Sequence, residues 1–116
     1  MLHVEKKLAK IVEELTLFFF GIGGSDIQSS IIKGHHKAFI FFKSNYNKQL
    51  EHKLDDIEDI LKGQKNEGME DIYWELVGSG DPGEASQLWL IGIMVDEATI
   101  IREEGSITIK LCKYLN

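Results

Sequence analysis

The chain has 116 residues, a formal net charge of −6 and one cysteine, which suits a single domain over residues 1–116 able to bury a core without disulfides or a structural metal. The acidic balance and the absence of a long Lys/Arg cluster argue against a surface that tracks phosphates, so no nucleic-acid partner is expected. No leader is apparent and no apolar run approaches the ~20 residues that span a bilayer; with Cys112 unable to bridge internally, a cytoplasmic setting and no membrane partner are expected.

The first predicted element is a helix over about 3–20. Val4, Leu8, Ile11, Leu15 and Phe18 recur at spacings of three and four, and Val12 and Phe19 widen the stripe. Lys6, Lys7, Lys10, Glu13 and Glu14 are expected on the wet side. The helix closes on "EELTLFFFGIGG". Three consecutive phenylalanines, Phe18, Phe19 and Phe20, span about 200° of a helix and cannot all face one sheet. One of them, Phe20 together with Leu17, must meet another element or a partner. Gly21, Gly23 and Gly24 end the helix.

A hairpin follows, with strands over about 26–33 and 37–43 and "GHH" as its turn. The second strand is apolar on both faces, with Ala38, Ile40 and Phe42 on one and Phe39 and Phe41 on the other, which marks a central or doubly covered strand. A second helix over about 45–62 carries Leu50, Leu54, Ile57 and Leu61, and its many charges read as a solvated face. A short helix over about 69–76 comes next. "GSGDPGEAS" is a loop that starts a helix over about 82–95, with Asp81 as N-cap and Pro82 at the first helical position. Because "QLWLIGIMV" is apolar nearly all round, a buried strand is its alternative. A second hairpin, about 98–103 and 106–113, turns at Glu104-Gly105. Together these elements predict an α+β two-layer sandwich: a mixed four-stranded sheet from two hairpins, with helices mainly on one face.

The step Met94-Val95-Asp96-Glu97-Ala98, the strand Thr99 to Arg102, Gly105 and the strand Ser106 to Lys113 resemble the ATP-binding domain of histidine-kinase-type (GHKL) ATPases, and most of all the anti-sigma-factor serine kinases. "VEELTLFFFGIGGSDIQSSI" matches the opening of that fold. The resemblance implies a helix-borne Glu that activates the attacking group, followed four residues later by an Asn that holds magnesium. Glu14 matches the Glu, but Phe18 stands at the Asn, and phenyl carbon cannot ligate a hard cation. The family's Asp-x-Gly, which reads adenine, falls on "KSNYNK", where Ser44 or Asn45 stands near the Asp and no glycine follows. Its Gly-x-Gly turn falls near Ala85-Ser86-Gln87, and Asp81 and Glu84 there would repel phosphate.

Other candidates have plainer readings. Glu14 could be a general base or a solvated glutamate. "GIGG" and "GSG" lack P-loop and dinucleotide-binding spacing and read as loop chemistry. His35-His36, with His3 or His52, have no metal-ligand spacing; Cys112 reads as a small buried hydrophobe. Accordingly no cofactor and no metal are expected, and activity as an enzyme is less expected than its absence. With helices on one face of the sheet, Phe39, Phe41 and Ile101 lie on the other, a patch of the kind that marks protein partners or self-association. The sequence therefore reads as a cytosolic regulatory or protein-interaction module using Phe20, Phe39, Phe41 and Ile101. The alternative is an ATP-binding serine kinase of the anti-sigma type with an atypical site, and a third reading is a small-ligand pocket between the helices and the loop at Gly78 to Gly83.

Overall fold

A computed structural model describes residues 3–61 and 88–115 of the chain. Within them the first helix, α1, covers Val4–Gly21. Its buried stripe is Leu8, Ile11, Leu15 and Phe19. Phe19 rather than Phe18 continues the stripe, and its ring centre lies 5.3 Å from that of Phe42. Phe18 stands edge-on to Phe19 at 5.2 Å and is half-buried. Phe20 is 61% exposed. Lys7 and Glu14, expected on the wet side, are buried. The cause is geometric: α1 packs against a later helix as well as against the sheet, so more than one of its flanks is covered.

The exit from α1 depends on glycine. Gly23 has φ +93°, and a Cβ there would come within 2.8 Å of the Asn47 Cβ. Four strands follow in the described chain: β1 Ile27–Lys33, β2 Lys37–Asn45, β3 Glu97–Glu103 and β4 Ser106–Tyr114. They lie in the order β1-β2-β4-β3. The sheet expected as mixed is antiparallel in all three ladders. Each hairpin gives its second strand to the centre, and those two strands run in opposite directions.

The helix expected from about residue 45 begins later. Asn45 remains in the ladder, opposite Ser106. Its side-chain oxygen accepts from the backbone N–H groups of Ser25 and Asp26 at 2.8 and 3.0 Å, which ties the end of β2 to the loop after α1. Residues Lys48–Lys53 then form a 3₁₀ helix, with the Asn47 side chain accepting from the Gln49 N–H, before α2 covers Leu54–Leu61. The helix expected over about 69–76 and the first part of that over about 82–95 lie outside the described residues. The described part of "QLWLIGIMV" is helical: α3 covers Trp89–Met94.

The result is a two-layer α+β sandwich. Ala38, Ile40 and Phe42 of β2 and Ile107, Ile109 and Leu111 of β4 are buried beneath the helices, along with Leu54 and Ile57 of α2 and Leu90, Ile91 and Met94 of α3. Lys113 shares this side of β4; it is buried, and its ammonium donates to the Met94 carbonyl at the end of α3 at 2.9 Å. That bond gives a helix C-terminus a cation and an otherwise orphaned carbonyl a partner.

The α2–α3 contact relies on Gly92. A Cβ at this position would come within 2.5 Å of the Ile60 carbonyl oxygen, a backbone atom that cannot swing aside. Gly92→Ala should therefore destabilise the protein by roughly 1 kcal/mol or more, because overpacking outweighs the gain in helix propensity. Urea unfolding checks this: the midpoint should fall at unchanged slope. A raised midpoint would mean that α2 and α3 have room between them.

Candidate functional site

Two surfaces compete for attention. The first is the sheet face opposite the helices. α1 contacts β1 and β2, and α2 contacts β3; among the described elements no helix covers the other side. Strand alternation places Ile32, Phe39, Phe41, Lys110, Tyr114 and Ile101 there. Phe39 is half-buried, Phe41 is 37% exposed and Ile101 is 54% exposed. The two phenyl rings stack with centres 6.5 Å apart. The Lys110 ammonium sits 5.4 Å from the Phe39 ring centre and 5.6 Å from that of Phe41, within cation–π reach of both. Phe41 faces Lys110 directly across the ladder, and Ile101 faces Thr108. Phe20 does not join this patch. It sits on α1, which packs on the opposite side of the sheet.

Near the end of this face, the Tyr114 hydroxyl donates to the Glu97 carboxylate at 2.7 Å. The bond lowers the Glu97 pKa and pushes Tyr114 up to about 12. Cys112 lies in the same row, buried and opposite both Phe39 and Glu97. Burial first, and the neighbouring Glu97 second, raise the pKa of its thiol. A raised pKa keeps the thiol protonated and poorly nucleophilic.

The positions matched to nucleotide chemistry are occupied otherwise. Glu14 is buried rather than solvated, with the Lys10 ammonium 3.4 Å away one turn earlier. Ser44 is buried, and its hydroxyl donates to the Asn45 carbonyl at 2.7 Å. The Asn45 amide accepts from Ser25 and Asp26 and donates to the Ser25 hydroxyl, so its polar atoms are engaged within the fold. Asp96 holds the start of β3 to β4, accepting from the Tyr114 N–H at 2.6 Å. The Gly-x-Gly position and the loop at Gly78 to Gly83 lie outside the described residues.

The second surface is a cavity of about 760 Å³ among the helices. α1 and its exit contribute Leu17, Phe18, Gly21 and Ile22; Ile60 of α2 faces them, and Leu88 and Trp89 enter at the start of α3. Among the described residues its charged lining is Lys53, Asp56 and Asp59. The acidic run of α2 is solvated as expected, with Asp55, Asp56 and Asp59 exposed, but its two flanks meet different neighbours. Asp55 and Glu58 both meet Arg102 of β3 at 2.8 Å. Asp56 and Asp59, one position further round, line the cavity. Sequence analysis missed this division, although the two i,i+3 pairs are visible in "LDDIED". Which pair meets the sheet depends on where β3 lies.

His3 precedes α1, His35 and His36 lie in the β1–β2 turn, and His52 lies in the 3₁₀ helix. Among the described residues no group of three or more His, Cys, Asp or Glu could hold a metal ion, and no described helix is long and apolar enough to cross a membrane. Set against models of protein families, curated proteins and solved structures, the chain matches none.

The Glu97–Tyr114 bond has a pH signature. Glu97, with its lowered pKa, contributes stability above its unfolded pKa of about 4.3 and loses it as pH falls through the folded value. Tyr114 contributes fully below about 10 and loses its contribution as pH rises through about 12. Glu97→Gln should return the Tyr114 pKa toward the ordinary value of about 10. Ring-carbon NMR at pH 11 checks this: Tyr114 should be mostly protonated in the native protein and mostly ionised in the variant. Equal ionisation would remove Glu97 as the cause.

Proposed function

We propose that the chain is a non-catalytic, cytosolic regulatory or protein-interaction module with a GHKL-like fold that has lost its nucleotide chemistry. The observation that carries this reading is the sheet face of Phe41 and Ile101, turned away from the helices and exposed. An exposed apolar patch with aromatic rings and the Lys110 ammonium over them suits a protein surface that buries it. Phe20, exposed on α1, would act as a separate contact. The lost chemistry is supported by Phe18, which offers no oxygen to magnesium, and by the internal bonds of Asn45. The alternative, an ATP-binding serine kinase of the anti-sigma type, draws on Glu14, buried on α1 beside Lys10.

Two measurements test the pair. Calorimetry with ATP and ADP, with and without magnesium, should give no binding at millimolar nucleotide; micromolar, magnesium-dependent binding would put the kinase first. A photo-crosslinking amino acid at Phe41, introduced in cells, should join the chain to a second polypeptide, whether another copy or a different protein. The same group at Glu51, exposed on the 3₁₀ helix, should not. Absence of adducts from position 41 would remove the interaction reading.

A further inference from the structure

We propose that the cavity between α1, α2 and α3 binds a small organic cation with an apolar body. Its volume, about 760 Å³, falls within the range of roughly 300–1,000 Å³ common to small-molecule sites. The walls are side chains that gain from contact with an apolar group: Phe18, Ile22, Ile60 and Leu88. Phe18 and Trp89 add aromatic rings, whose faces attract cations.

The charge of the lining selects among ligands. Lys53, Asp56 and Asp59 are all exposed. Among the described residues none of the three has an ion-pair partner, whereas Asp55 and Glu58 on the adjoining flank of α2 are both held by Arg102. Among the described lining residues, two carboxylates stand against one ammonium, an excess of one negative charge. An anionic ligand meets repulsion there, a neutral one gains only apolar contact, and a cation gains both the carboxylates and the rings. The same excess disfavours a polyphosphate. The cavity lies on the helical side of the sheet, so the proposal stands apart from the partner face of Phe41 and Ile101.

The test uses three probes with one apolar body and different heads: 4-phenylbutylamine, 4-phenylbutanol and 4-phenylbutyrate. Each is titrated into the full chain and followed by amide NMR. The amine should shift the Gly21, Ile22 and Trp89 signals and bind about tenfold tighter than the butyrate, as expected for exposed charges acting over short range. Replacing both carboxylates, Asp56→Asn with Asp59→Asn, should weaken the amine about fivefold and bring it to the level of the alcohol. Lys53→Gln, which leaves the carboxylates in place, should tighten the amine about twofold. It also carries the test if the double variant fails to fold. The proposal is overturned if no probe shifts these signals, if the butyrate binds as well as the amine, or if Lys53→Gln leaves amine binding unchanged or weaker.

Discussion

The antiparallel ladder between β2 and β4 pairs residues 37–45 with 106–114, segments separated by most of the chain. It joins two local hairpins into one sheet and sets Ile40 and Phe42 beside Leu111 and Ile109 as the floor of the core. The helices take their positions from that floor. Phe19 packs on Phe42, and Lys113 at the far end of β4 secures the last carbonyl of α3. Closing so long a loop costs entropy before any contact repays it, so the ladder carries the largest loop-closure cost among the three strand pairings.

The same ladder creates the open face. Alternation along β2 obliges Phe39 and Phe41 to point away from Ala38, Ile40 and Phe42. Because β2 is central, these rings sit mid-sheet rather than at an edge. Lys110 crosses over them from β4, which covers part of their surface without removing it from reach. The helical side solves a different problem. Three consecutive phenylalanines leave α1 in three directions: Phe19 enters the core, Phe18 lines a cavity and Phe20 meets solvent. One short stretch of sequence thus contributes to stability, to a concave site and to an exposed surface.

Much of the architecture was legible in periodicity. The apolar spacing of α1, the alternation of the central strands β2 and β4, the Glu104-Gly105 turn and the buried Leu54, Ile57 and Leu61 of α2 follow from it. That the three phenylalanines could not all face one sheet also followed from helix geometry; the structure leaves Leu17 and Phe20 exposed. The failures share a cause. Asn45 and the delayed start of α2 depend on a hydrogen-bonding partner some twenty residues earlier, which local propensity does not register. Lys7 and Glu14 read as solvated because charge usually is, yet neighbouring elements cover their flank.

The sequence by itself determined that α1, the two hairpins and α2 would form, and which face of α1 and of the central strands is apolar. Those properties reside in side-chain chemistry and in periods of two and 3.6 residues, which act within a few positions. Only the tertiary structure decided the strand order, the separation of Phe20 from Phe41 and Ile101, and the division of α2 between Arg102 and the cavity. These depend on which distant segments meet, and that is set by how all the apolar faces are buried together rather than by any one of them.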